Sequence, residues 1–335
     1  MQVMSISEAV EKSRAGSMAT KALEDMRKPP KRIATGLPSW DAALNGGLLV
    51  PSLTVLGAKP KIGKSTIMTF IADAVVTGGH IVYMVDLENG GSRIFRRIVA
   101  RRARIAMDEF QAGEQGISKD DIAFAKASAE FTSGGLGSRL FIETGRRFNE
   151  ADLEQRVNFL SAIAKAEGKE FLLIADSLQK MPVANLSDRR AGIDGWLRFF
   201  EYLRDTYEIA ILVTSELKRP SEGQAYKPSE ISLKESGDIE YSADLVVTLD
   251  KSSSAQDGWV DDAPEKSPIQ VRVIFNRDGP SGRLRNDLVL EYPYHNIIEV
   301  EATIPWTGSK LRVSPTGNVP AKSGNAPANV VPFRK

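Results

Sequence analysis

The chain has 335 residues, 42% hydrophobic and 26% charged, with a formal net charge of +1. That balance is ordinary for a soluble globular protein and excludes a nucleic-acid surface built on overall charge, so any such surface must be local. Cysteine is absent and the only histidines are His80 and His295, which excludes disulfide and thiolate chemistry and argues against a zinc site. No apolar run reaches membrane-spanning length and the first residues carry no apolar signal core, so no membrane partner is expected and the expected location is cytoplasmic.

Residues 1–32 read as an N-terminal helical linker. Ser5 to Met26 is rich in Ala, Glu and Lys, and Pro29-Pro30 ends it. A frayed terminal helix and a linker helix docked on a neighbouring subunit both fit. The core, 33–307, opens with Thr35-Gly36-Leu37-Pro38-Ser39-Trp40-Asp41 and Leu44-Asn45-Gly46-Gly47-Leu48. The apolar run Leu53-Thr54-Val55-Leu56 then predicts a buried strand.

The organising stretch follows: Gly57, Ala58, Lys59, Pro60, Lys61, Ile62, Gly63, Lys64, Ser65, Thr66. Strand, glycine, spacer, Gly-Lys-Ser and an apolar helical pattern (Ile67, Phe70, Ile71, Ala74, Val75) make a phosphate-binding loop. Glycines let backbone N–H groups close on a phosphate, and the helix N-terminus adds partial positive charge. Lys64 would reach the β- and γ-phosphates of ATP, and the Ser65 hydroxyl would ligate Mg²⁺.

Further on, Ile81 to Val85 predicts a strand ending at Asp86-Leu87-Glu88. A basic helix runs from Arg93 to Arg104, with Arg93, Arg97 and Arg101 on one face. The expected role of that face is a solvated or subunit-facing surface rather than a DNA contact. A helical stretch near 118–131, a strand at Leu140-Phe141-Ile142 and a helix over 150–167 follow, then the strand Phe171 to Ala175 ending in Asp176. Helix 189–206 leads to the strand Ile209 to Thr214. Alternating strands and helices predict a mostly parallel sheet covered on both faces. Leu245–Leu249, Ile269–Phe275 and Leu284–Glu291 have no helices between them and predict an antiparallel ribbon at the C-terminal edge; 251–268 reads as a polar loop and 308–335 as a disordered tail.

A P-loop ATPase needs a second acidic residue at a neighbouring strand tip, and Asp176 supplies it as a holder of Mg²⁺ through water. It also needs a group that orients water at the γ-phosphate. Glu88 is favoured on position, with Asp86 as a rival.

The residues resemble the RecA-like ATPase domain of DnaB-type replicative DNA helicases from about Thr35 to Val300. Lys59-Pro60 looks like that family's Arg-Pro, and Asp86-Leu87-Glu88 like its Ser-Leu-Glu, which implies Glu88 as catalytic base. Asp176-Ser177-Leu178-Gln179 and Thr214-Ser215-Glu216-Leu217-Lys218-Arg219 look like its Asp-Tyr-Leu-Gln and Ser-Gln-Leu-x-Arg. Leu233 to Glu240, with Ala243-Asp244, and Asn276-Arg277-Asp278-Gly279-Pro280-Ser281-Gly282 are the most specific matches. The resemblance implies that Arg277 is an arginine finger reaching the neighbouring subunit's nucleotide. It also implies that Lys234, Glu235, Ser236 and Gly237 face single-stranded DNA in a central channel. The implied protein is a ring, expected to be a hexamer, that unwinds DNA in replication with a loader, primase or initiator protein as partner. The family's helical N-terminal domain has no counterpart, so a core-only chain is expected.

Two residues depart from the pattern. Glu216 stands where the family has a polar sensor Gln, and Phe275 where it has a lysine two residues before the finger. Both bear on the hydrolysis rate, and they keep two other functions open: a RecA-like DNA-binding ATPase of recombination or repair that does not unwind, and a non-hydrolysing, ATP-dependent assembly factor.

Overall fold

Strands made of uninterrupted apolar residues must be covered on both faces, and that requirement sets the architecture. The computed structural model describes residues 26–117, 121–145, 148–183, 188–217, 239–251, 266–284 and 286–301, together with Glu11, Gly16, Ala19, Leu23 and Glu24. Among them the order is β1 (Lys31–Ile33), α1 (Pro38–Ala43), β2 (Leu48–Val50), β3 (Ser52–Ala58), α2 (Lys64–Thr77), β4 (Ile81–Asp86), α3 (Gly91–Ala103), α4 (Ile122–Thr132), β5 (Leu140–Glu143), α5 (Glu150–Ala166), β6 (Phe171–Asp176), α6 (Arg189–Tyr207), β7 (Ala210–Glu216), α7 (Ile239–Ser242), β8 (Leu245–Lys251), β9 (Lys266–Asn276), β10 (Gly282–Arg283), β11 (Asn286–Glu291) and β12 (Asn296–Glu301).

One ten-stranded sheet carries the order β12-β11-β9-β8-β3-β7-β6-β4-β5, with β10 on β9. From β8 to β5 every pairing is parallel. The pairings β8–β9, β9–β11 and β11–β12 are antiparallel. This is the RecA-like arrangement of a mostly parallel sheet with an antiparallel C-terminal edge. The run 245–249 sits differently from expectation: β8 lies parallel to β3 inside the sheet, and the ribbon begins only at β9. The outermost strand, β12, was not predicted from the sequence.

The faces are read directly from alternation. On β3, Leu56 and Ala58 face one core with Ile67, Met68 and Ile71 of α2, whereas Leu53 and Val55 face the other with Phe200 of α6 and Val157 of α5. Leu172/Leu173 and Leu212/Val213 split the same way on β6 and β7. Each fully buried Leu, Val or Phe contributes ~1.5–3 kcal/mol, so the sheet is a rigid platform for what sits on its edge.

Local chemistry sets the element ends. Asn149 and Asp152 form a reciprocal capping box at the start of α5: Asp152 N donates to Asn149 Oδ1 at 2.9 Å and Asn149 N to Asp152 Oδ2 at 3.2 Å. The Thr35-Gly36 lead-in is tied by Asp41, whose carboxylate accepts from Thr35 N and Oγ1, both at 2.7 Å, and from Gly36 N at 3.1 Å. Among the described residues no helix is long and apolar enough to cross a membrane. The stretch 308–335 lies outside the described residues, as do 302–307, most of 1–25 and residues 252–265, which hold most of the polar loop expected over 251–268.

Candidate nucleotide-binding site

The C-terminal tips of β3, β4, β6 and β7 meet at one edge of the sheet, where ligands of open α/β sheets bind. Gly57 and Ala58 are still ladder residues, paired across with Ser215 and Glu216 of β7. The loop proper is therefore Lys59–Gly63. Counted strictly, the four-residue spacer Lys59–Ile62 follows Ala58, so Ala58 holds the first position of the motif and Gly57 precedes it. Gly63 enters α2 at φ 103, a left-handed conformation that glycine tolerates without strain. A Cβ there would fall 2.1 Å from Leu290 Cδ1, so any side chain would have to displace Leu290 of β11 as well.

Ser65, one residue into α2, donates its hydroxyl to Asp176 Oδ2 at 2.7 Å, and Thr214 donates to Asp176 Oδ1 at 2.6 Å. Asp176 is buried at the tip of β6. Burial pushes its carboxyl pKa up, the two hydroxyl bonds pull it back, Asp86 raises it and Lys64 lowers it. A hydroxyl and a carboxylate in contact, beside Lys64, are hard oxygen donors that suit Mg²⁺, an ion that keeps several waters and takes its remaining ligands from phosphates. Among the described residues no group of three or more His, Cys, Asp or Glu side chains gathers as a metal site. A two-donor site completed by substrate is what the residues can supply.

The two carboxylates after β4 have different surroundings. Asp86 is fully buried, and its oxygens accept Glu88 N at 2.8 Å, Asn89 N at 2.6 Å and Asn89 Nδ2 at 2.9 Å. It organises the turn and has no face open to water. Glu88 keeps 34% of its side chain exposed and lies 3.9 Å from Lys180 Nζ. Burial, then Asp176, push its carboxyl up, with Lys180 and Lys64 opposing. Glu216 is held at the same edge: its N–H donates to Gln179 Oε1 at 3.1 Å, and Gln179 Nε2 donates to Ser215 Oγ at 2.9 Å. Lys59 Nζ is 3.9 Å from Asp250 of β8.

Arg277 is at the other end of the molecule. Its N–H donates to Asp244 O at 2.9 Å, and Asp244 N donates to Leu53 O at 2.9 Å, near the start of β3. From Leu53 to Ala58 a strand spans roughly 17 Å, so Arg277 is far from its own chain's Lys64. Its guanidinium is half exposed, 3.4 Å from Asp244 Oδ1, with Nη2 donating to Tyr241 O at 3.2 Å. Phe275, two residues earlier, is partly buried against the apolar cluster on one face of the sheet, so an apolar side chain occupies the family lysine's position. Lys234, Glu235, Ser236 and Gly237 lie outside the described residues.

The Arg-rich helix α3 matches the expected solvated surface at Arg93 and Arg96, which are exposed, but not at Arg97 and Arg101. Arg101 is 9% exposed and pairs with Asp73 of α2, which Arg102 also meets at 2.8 Å. Arg97 Nη2 donates to Asn89 Oδ1 at 3.1 Å. The sequence signal for Arg101 and Arg102 is Asp73, the charged residue among the buried positions of α2.

His295, in the turn between β11 and β12, brings Nδ1 within 3.3 Å of Thr66 Oγ1. Burial first, then Arg97 and Arg101, push its pKa down from 6.5 to about 4. A depressed histidine leaves the folded state short of a proton that the unfolded chain binds. Its stabilising contribution is complete above about pH 6.5 and is lost as pH falls toward the folded value. Against the wild type, His295→Gln is therefore expected to lose less thermal stability between pH 7 and pH 4.5, because Asp176 and the other titrating groups are common to both. Calorimetry across that range checks it, and parallel acid limbs would contradict it.

Residues 32–293 match the family model described as DnaB-like helicase C terminal domain. The replicative DNA helicases DnaB of Haemophilus influenzae and Pasteurella multocida are each 25% identical over 256 residues, 76% of this chain and 52% of theirs. The chain thus spans about half the length of the curated relatives it matches. Among solved structures, one ATPase domain has a TM-score of 0.70 at 19% identity, covering 90% of this chain and 100% of that one. A DnaB-like replicative helicase, described with its interactions with primase, has a TM-score of 0.72 at 19% identity, covering 88% and 70%. At that identity the two structures speak for the fold. The family model spans most of the sequence, and the chain belongs to the DnaB-like helicase C-terminal domain family.

Proposed function

We propose that this chain is an ATP-driven DNA helicase or translocase that acts on single-stranded DNA in replication, as a ring expected to have six subunits. The observation that carries this reading is the split site. Lys64, Ser65, Asp176 and Glu88 gather at one end of the sheet, and Arg277 stands half exposed at the other. A motor whose site is completed by a neighbouring copy needs that separation.

In this reading the backbone from Lys59 to Thr66 cradles the phosphates, with Gly57 and Ala58 fixing the loop to the sheet. Lys64 neutralises the β- and γ-phosphates. Ser65, and Asp176 through water, would hold Mg²⁺, which when bound offsets phosphate charge. Glu88 orients the attacking water and takes its proton, and the raised pKa makes it a stronger base. Glu216, beside Ala58, senses the γ-phosphate end. Arg277 stabilises charge on the neighbour's transferring phosphoryl group. Lys234 to Gly237 contact the DNA backbone in the ring's channel. A primase, loader or initiator protein is the proposed partner, and the cytoplasm the proposed location.

Steady-state ATPase with and without single-stranded DNA tests the reading. Turnover that rises with DNA is expected. Nucleotide-dependent assembly without turnover would replace it with the assembly-factor function.

A further inference from the structure

The turn after β4 is wired into the metal-binding hydroxyl by side chains that no motif accounts for. Asp86 Oδ1 accepts the backbone N–H groups of Glu88 and Asn89, and its Oδ2 accepts Asn89 Nδ2 at 2.9 Å. The same Nδ2 lies 3.4 Å from Ser65 Oγ, which in turn donates to Asp176 Oδ2. Arg97 Nη2 donates to Asn89 Oδ1 at 3.1 Å.

These bonds have one consistent direction. A guanidinium has only donors, so Arg97 obliges the amide oxygen of Asn89 to face α3. The amide nitrogen must then face Asp86 and Ser65. A donor arriving at Ser65 Oγ uses one lone pair, while the hydroxyl proton is committed to Asp176. The remaining lone pair has a fixed direction. Asp86 meanwhile holds the backbone that carries Glu88.

Arg97 makes little sense as a purely structural residue. Its Nε and Nη1 are buried without hydrogen-bond partners, and burial lowers its pKa although Asp86 opposes this. Buried donors left unmade are costly, and what offsets that cost here is the charge of Asp86 and Asp176 and the bond to Asn89, the groups of this same site.

We propose that Asp86, Asn89 and Arg97 are positioning residues that fix the Ser65 hydroxyl for Mg²⁺ and the Glu88 carboxylate for attack on the γ-phosphate. None of the three touches substrate. The proposal rests on the ATPase reading above and assigns it a set of supporting side chains that run from α3 to the metal.

The test uses the full chain and a fluorescent ATP analogue, titrated with Mg²⁺, alongside kcat and KM for ATP. Asn89→Leu and Arg97→Met should raise the Mg²⁺ half-saturation and lower kcat by ~10–100-fold, the range for residues that orient metal ligands. Analogue affinity without metal should stay near wild type. Arg97→Lys keeps a donor for Asn89 Oδ1 and should recover part of the loss. If Asn89→Leu fails to fold, Asn89→Ser carries the same expectation. A Mg²⁺ half-saturation within about twofold of wild type in the folded variants would overturn the proposal. So would an equal loss of metal-free affinity, which marks a general structural defect. Failure of the ATPase reading shows separately, as absent turnover in the wild type, and the Mg²⁺ titration remains readable in that case.

Discussion

Lys64→Ala is expected to abolish ATP turnover, by ~10²–10³-fold or more, while the protein stays folded. The side chain is only half buried at the first residue of α2, and the apolar residues that hold that helix, Ile67, Met68 and Ile71, are untouched. What the substitution removes is a cation at the point where the phosphates carry most charge. Lys64 also lowers the pKa of Asp176 and Glu88, so alanine should push both carboxyls further up and weaken metal binding as well. Phosphate release measured beside matched circular dichroism checks this. Near wild-type turnover in a folded variant would remove Lys64, and the loop with it, from the account.

Arg277→Ala should bind ATP nearly normally and turn it over ~10³-fold or more slowly, the scale of arginine fingers. The reason is positional. Arg277 hangs from Asp244, which also accepts Leu53 N at 2.8 Å and pairs with Arg204 at 2.8 Å, so it is anchored to the end of the sheet remote from the P-loop. Action on its own chain's nucleotide is out of reach. Mixing Lys64→Ala with Arg277→Ala should rebuild some sites, each joining an intact Lys64 to an intact Arg277 of the next subunit. Recovery is read as ATPase across mixing ratios, with mixed rings verified by tagged pull-down. No recovery despite mixed rings would count against trans action, and full activity of Arg277→Ala alone would reject the finger.

Much of this is legible in the sequence. The strand-loop-helix from Leu53 to Val75 announces itself because phosphate binding needs glycine, lysine and a hydroxyl at fixed spacing. Asp176 stands out as a carboxylate ending an apolar run. The helix predicted over 150–167 is α5, whose start the Asn149–Asp152 capping box fixes in the structure. Other features depend on burial that sequence does not display. Asp86 and Glu88 are chemically alike and two residues apart; position and resemblance favour Glu88, and the enclosure of Asp86 with the partial exposure of Glu88 supports that preference. The sequence puts β8 in the antiparallel ribbon because no long helical pattern before it marks a parallel crossover, whereas the strand pairs parallel with β3. Arg101 faces inward against the usual habit of basic helices because Asp73 stands on α2, and Arg97 because Asn89 and Asp86 lie at the turn after β4. Phe275 stands in place of the family lysine at a strand position that, in this chain, is partly buried against the apolar cluster on one face of the sheet.

The central claim is that ATP hydrolysis at this shared site drives separation of DNA strands, and a forked duplex tests it most directly. A fork with single-stranded arms, a fluorophore and a quencher at the duplex end, is incubated with the protein and Mg²⁺. The account predicts a fluorescence rise that requires ATP, is absent with a non-hydrolysable analogue and is lost in both Lys64→Ala and Arg277→Ala. DNA-stimulated ATPase with no strand separation on any fork geometry would contradict it and leave a DNA-binding ATPase that does not unwind.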